Sequence, residues 1–436
     1  MSVVKPQNGL YRIAICHYLI AALFFLALAI LFLFSVEELS GHYFQPKILA
    51  LTHIAALGWG SIIIFGTLYQ LLPFILETRL FSLKLSWLSL AFFVPGVILL
   101  VYCFWVFNPG VYMQVASFLL FAAVVSFDLN VFLTVKDRKQ DSMVTEFILT
   151  SCLWLSLTVL LGGLMVFNFT FSFLPKDHLQ FLRLHAHMGI AGWFLMLIIG
   201  VSAKLLPMFL VSKYQKTHLL SYSYYLINAA LLSFIVDGYF YGINFKTYVI
   251  SFLGVLGICF YLAFVYQCVT TRIRANIDLP MVQTLGSFIL LGLAILTLPF
   301  LLYYHLKQHP LATNLSVFYG VLIFMGWISS LISGQTFKIL PYIVWLKCYE
   351  HLTGKVKTPM PADLINNSLL NLQFVAFLVF LLSFMTGFLL SSDILKYIAA
   401  GSLLLMALCY SIHVLCLLLH PIKTEKYEPS RSINEI

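Results

Sequence analysis

The chain has 436 residues, of which 61% are hydrophobic and only 9% charged. So few charges cannot solvate a globule of this size, and apolar runs longer than about 18 residues recur along the whole length; this excludes a soluble domain and makes a lipid bilayer the natural solvent. The net charge of +9 therefore reads as membrane topology and attraction to anionic headgroups, with no nucleic-acid partner implied.

Twelve apolar spans follow in chain order, beginning near residues 11, 46, 85, 111, 145, 180, 217, 246, 281, 313, 367 and 395. Each covers about 20 to 30 residues, enough to cross a hydrocarbon core of about 30 Å with some tilt. The expected fold is all-α and polytopic, because a helix satisfies its own backbone in lipid. The first span is too long for a cleavable signal sequence and lacks a small-residue cleavage site, so it is expected to stay as a membrane helix. Lys and Arg set the orientation. If the N-terminus and every second loop share one side, only six of the 25 (Lys47, Lys176, Arg183, Lys246, Lys307 and Lys396) fall on the other. The remaining nineteen mark the cytoplasmic face. Both termini are then expected in the cytoplasm, the second, sixth and tenth spans run inward, and residues 423–436 form a polar cytoplasmic tail. A bacterial inner membrane is the expected location. The eight cysteines are scattered, with no CxxC pair, and read as small buried hydrophobes.

The second, sixth and tenth spans echo one another. They read THIAALGWGSIIIFGTLYQLLPF from Thr52, RLHAHMGIAGWFLMLIIGVSAKLLPMF from Arg183, and FYGVLIFMGWISSLISGQTFKILPY from Phe318. In each, a Gly-Trp pair is followed by a glycine seven residues after the Trp and a Leu-Pro thirteen and fourteen after it. Trp59, Trp193 and Trp327 are spaced by 134 residues in both intervals. The chain therefore reads as three units of four spans, about 11–140, 141–275 and 276–422, within one transmembrane domain. The glycines are expected to allow close helix approach, the tryptophans to anchor at the membrane interface, and the prolines to end the helices there. Gln70, Lys204 and Lys338 share one matched position, where snorkelling toward the interface is expected ahead of a proton-pathway role.

Five residues before the glycine of each Gly-Trp pair stand His53, His187 and Val321; two residues earlier, His185 is matched by Tyr319. Ionisable groups inside membrane helices are costly and face the bundle interior. A neutral imidazole is also a versatile ligand for haem iron, copper or zinc. Agreement of position in two units points to metal or haem ligation by His53 with at least one of His185 and His187. Residues two apart on a helix point about 200° apart, so His185 and His187 are not expected to grip one ion together. Either they serve two centres, or one is a ligand and the other supports it. His42, His305 and His309 belong at headgroup level, and His17 and His413 toward the cytoplasmic side of the first and last spans. Asp128 and Asp237 are embedded acids, each either part of a proton route or paired with a neighbouring donor.

With its twelve spans, threefold period and outer-leaflet histidines on the second and sixth spans, the chain resembles subunit I of the haem-copper oxidase superfamily. The stretch from His53 to Pro73 is most similar to divergent members related to cbb3-type oxidase and nitric oxide reductase subunits; the plan also resembles NnrS-type proteins. The resemblance implies a b-type haem held by His53, with His185 or His187 opposite or on a second metal such as copper. It implies a role in respiratory electron transfer or nitric oxide response. Two departures stand out. The seventh span, HLLSYSYYLINAALLSFIVDGYFYG, lacks the family's histidine pair, and the tenth carries Tyr319-Gly320-Val321 where the family has HxH. The usual binuclear centre cannot be assembled, and no catalytic residue is assigned. With no CxxCH and no soluble electron-entry segment, electrons would come from a partner subunit or a quinol. The alternatives are a membrane transporter or delivery protein for haem or metal, and a relative that has lost its cofactors.

Overall fold

The computed structural model describes residues 9–138 and 142–422. Lys5, Lys139 and the expected tail at 423–436, with its Lys423, Lys426 and Arg431, lie outside the described residues. Twelve helices are long and apolar enough to cross a membrane among the described residues: α1 Leu10–Leu33, α2 Pro46–Leu76, α3 Leu83–Trp105, α4 Val111–Lys136, α5 Met143–Phe171, α6 His178–Leu210, α7 His218–Tyr241, α8 Lys246–Thr270, α9 Leu279–Leu306, α10 Leu311–Leu352, α11 Asn367–Leu389 and α12 Asp393–Leu418. The protein is an all-α polytopic membrane protein. Several helices start two residues before the apolar pattern does, because a polar side chain outside it caps them. Ser82, Ser142, Asp278 and Ser392 accept the N–H of Leu85, Thr145, Met281 and Leu395, satisfying an otherwise orphan donor.

The helices close into a ring. α1 packs on α2, α5 on α6 and α9 on α10; α3–α4, α7–α8 and α11–α12 form tight hairpins; α4 meets α5 and α12 returns onto α1. The corresponding contact of α8 with α9 is much looser. At the centre, α2, α6 and α10 each contain a π-helical stretch, at Ile54–Ser61, Met188–Leu195 and Leu322–Ile328. These recur at the 134-residue period. A π stretch inserts a residue and leaves backbone groups poorly paired. Ser61 and Ser329 compensate, donating to the carbonyls of Ala56 and Phe324.

The repeated glycines do what close packing requires. A Cβ on Gly66, Gly200 or Gly334 would stand 2.3 to 2.6 Å from His17 of α1, Phe147 of α5, and Pro280 and Thr284 of α9. Each is a point of close approach between the inner helix of a unit and its neighbour.

Three expectations change. Trp59, Trp193 and Trp327 are almost fully buried, at the bundle centre and not in an interfacial belt. Their N–H groups link the units: Trp59 donates to Ser329 and Trp193 to Ser61, at 2.9 and 3.1 Å. Trp327 has no acceptor, because residue 195, which takes the serine's place in the second unit, is leucine. Pro73, Pro207 and Pro341 do not end their helices, which run on to Leu76, Leu210 and beyond Tyr349. In the first two units the stop is a left-handed residue, Glu77 or Val211, at φ 52° and 51°. Among the cysteines, Cys259 and Cys416 are exposed on the outer surface, while Cys103, Cys152, Cys268, Cys348 and Cys409 are buried.

Candidate functional site

His185 and His187 point to opposite sides of α6, as their spacing predicts. His185 turns toward α5 and α2. Its Nδ1 meets the Thr158 carbonyl at 3.0 Å, and its ring lies 6.2 Å, centroid to centroid, from that of His53, with 24° between planes. Gly162 of α5 makes room for it, since a Cβ there would come within 2.8 Å of its Cε1. His53 is held by Nδ1 to the Leu49 carbonyl at 2.7 Å and stacks on Phe104 of α3 at 4.7 Å. His187 turns the other way. Its Nδ1 bonds the Arg183 carbonyl at 2.8 Å and its ring lies 4.8 Å from Phe234 of α7.

A carbonyl accepts only, so in all three rings Nδ1 carries the proton and Nε2 keeps a lone pair. Among the described residues none of the three Nε2 atoms has a hydrogen-bond partner. A backbone tether on one ring nitrogen that frees the other is the arrangement found in metal-ligating histidines.

The open space lies on the His187 side. An apolar cavity of about 380 Å³ runs along the loose α8–α9 seam, bounded by α2, α6, α7 and α10 as well. This is the size of a small-molecule or cofactor pocket. His187, Arg183, His305, Tyr319, Val321 and Trp327 border it; His53 and His185 do not. Arg183 is partly buried and forms no ion pair among the described residues. Of the outer histidines, His305 joins the cavity rim, whereas His42 stacks on Tyr43.

The two places suit different guests. Two imidazoles bound end-on to one ion have centroids about 6 Å apart, from metal–nitrogen bonds of about 2.0–2.1 Å. The His53–His185 separation matches that, but Phe104 packs directly on His53. The pair stands outside the lining of the cavity. It also offers only two donors; among the described residues no group of three or more His, Cys, Asp or Glu is placed to hold a metal. The cavity offers the reverse: volume, apolar walls and one free imidazole.

The remaining candidates have local partners. Asp237 accepts from Asn244 at 2.7 Å and lies 3.9 Å from Lys246. His413 accepts the Asn366 N–H and stacks on Phe337, while His17 bonds the Ile13 carbonyl and faces Tyr69. Lys338 meets Asp278, the cap of α9, at 2.5 Å. Burial alone would raise the Asp278 carboxyl, but the Lys338 hydrogen bond and the Lys338 and Arg274 charges hold it below its ordinary range. Sequence reasoning missed the cavity, the unpaired Arg183 at its rim and the orphan Trp327 N–H. Only the last had a signal, the replacement of Ser61 and Ser329 by Leu195 at the same period.

Compared with known protein families the sequence matches none, and it matches no curated protein.

Proposed function

We propose that the protein is a haem-binding membrane protein on the plan of haem-copper oxidase subunit I, acting in respiratory electron transfer or nitric oxide response. The observation that carries this reading is His187, an imidazole with Nδ1 tethered and Nε2 free on the wall of an otherwise apolar cavity. There it would hold the iron of a b-type haem, while Arg183 at the rim would take the carboxylates of the ring. The bound haem would supply one-electron chemistry; the apolar walls would exclude water and set its potential. The His53–His185 pair would hold copper or another second metal. Electrons would come from a partner subunit or a quinol, in a bacterial inner membrane with both chain termini in the cytoplasm.

The test is the absorption spectrum of protein purified after expression with haem supplied. A Soret band that is lost in His187→Ala and kept in His53→Ala supports the reading. No Soret band in the wild type, or one indifferent to His187→Ala, sinks it.

One observation favours a second reading, transport or delivery of metal or haem. A pair of donors without a third holds an ion less firmly than the three or four of resident sites, which suits transfer. Flux into liposomes without redox turnover would favour this reading.

A further inference from the structure

A second polar assembly lies on the opposite side of the membrane from the histidines, where the first unit meets α5. Asp128 of α4 is 5% exposed, and one carboxylate oxygen accepts Ser156 of α5 at 2.5 Å. Its other oxygen, Oδ1, has no partner at bonding geometry among the described residues. Tyr69 of α2 is completely buried, with its hydroxyl facing Ser86 and Ser89 of α3 and within electrostatic reach of Asp128. That hydroxyl also has no partner at bonding geometry. On the far side of Tyr69 lies His17 of α1, 1% exposed, its ring 5.6 Å from that of Tyr69. Nδ1 of His17 donates to the Ile13 carbonyl at 2.7 Å, and its Nε2 is again unpartnered.

Counting donors and acceptors exposes a deficit. His17 Nε2 and the Asp128 carboxylate oxygen Oδ1 are acceptors without donors. Tyr69, in ring contact with His17 and within electrostatic reach of Asp128, has one hydroxyl hydrogen to give. It cannot satisfy both, and a buried acceptor left bare costs about 1–3 kcal/mol. The groups facing Asp128 supply no other charge. α5 presents Ser156 and the weakly donating Cys152 thiol, and α2 presents Tyr69, whose own hydroxyl faces Ser86 and Ser89 of α3. Among the described residues no Lys or Arg is paired with Asp128. A structural acid would be bonded at both oxygens; this one keeps a bare Oδ1, beside a histidine with a bare Nε2 and a tyrosine with a single hydrogen to give. The missing species is a proton, or a water that carries it.

Position sets the direction of access. Asp128 lies eight residues before Lys136 at the end of α4, about 12 Å along a helix rising 1.5 Å per residue. Arg79 and Lys84 mark the same face. A turn deeper, Phe65 and Phe127 stack at 3.7 Å with Trp193 edge-on to both. That aromatic plug closes the assembly toward the other face. The period reinforces the point: the positions matching Tyr69 are Ala203 and Phe337, and those matching His17 are Ser151 and Leu285. His17, Tyr69 and Asp128 are not repeated at the matched positions, so the threefold scaffold does not require them.

We propose that His17, Tyr69 and Asp128 form a one-sided proton-binding site, hydrated from the Lys136 face, in which Tyr69 relays a proton between water and the Asp128 carboxylate. The proton arrives from water and returns to it, so no co-reactant is needed. The site stands whether or not the protein binds haem.

Infrared spectroscopy of the full chain in lipid nanodiscs tests it. The carboxyl C=O band lost in Asp128→Asn is expected to titrate with bulk pH and to shift in D2O. Tyr69→Phe should keep the band and slow its hydrogen exchange about tenfold, the factor a lost hydrogen-bond-sized contribution carries. If Asp128→Asn does not fold, Ser156→Ala identifies the band by moving its frequency. A band that neither titrates nor exchanges overturns the proposal in favour of a dry structural acid. An exchange rate indifferent to Tyr69→Phe overturns the relay, and a titration set by sodium or potassium overturns the proton in favour of a cation.

Discussion

The heads of α6 and α10 are two copies of one design with different contents. Both carry a π stretch, a buried tryptophan and a glycine that lets the preceding helix, α5 or α9, in close. α6 adds His185 and His187 and bonds Trp193 to Ser61; α10 has Tyr319 and Val321 at the matched places and leaves Trp327 unbonded. The backbone geometry was kept where packing depends on it, and the polar content diverged where packing does not. Chemistry in this bundle is therefore asymmetric although the scaffold is threefold.

The largest expected effect tests whether α6 carries the chemistry. His187→Ala should abolish the haem spectrum, whereas Val321→Ala on α10 should leave it unchanged; equal losses would erase the distinction. Next comes Gly162→Val, which drives a side chain into the His185 ring. It should cut copper affinity of the purified protein at least about tenfold, in line with losing support for a metal ligand, while the Soret band stays. Retained copper would break the assignment of the His53–His185 pair.

Smaller effects separate the tryptophans. Ser61→Ala strands the Trp193 N–H and should cost about 1–3 kcal/mol in detergent-unfolding measurements. Trp327→Phe should cost about 1 kcal/mol less than Trp193→Phe, since no hydrogen bond is lost. Equal costs would show that the bond in α6 contributes nothing. The smallest effect concerns Asp278 under α10. Its folded-state carboxyl is held below the ordinary range, so its contribution is full at neutral pH and fades only as acid protonates it in the folded state. Asp278→Asn should lower stability by less than about 1 kcal/mol at neutral pH, the range of partly exposed pairs, and the difference from wild type should shrink in acid. A difference that grows in acid would reverse the sign.

The sequence by itself determined the twelve spans, because lipid tolerates only segments that satisfy their own backbone, and a run of about 20 apolar residues declares itself without reference to anything distant. It also determined the threefold period, which Trp59, Trp193 and Trp327 carry in plain spacing, and the opposed directions of His185 and His187, which follow from 3.6 residues per turn. Even the starts of α3, α5, α9 and α12 were legible to within two residues, the difference lying in capping groups that apolar pattern does not register. Tertiary structure decided the rest. That His185 meets His53 depends on α5 offering Gly162, and that His187 faces open space depends on a loose α8–α9 seam. The buried tryptophans looked like interfacial anchors because sequence gives depth along a helix but not which neighbour covers it. His17, Tyr69 and Asp128 are far apart in the chain, on three helices. Their shared shortage of one hydrogen exists only once those helices are packed, because whether a polar group is satisfied is a property of its neighbours.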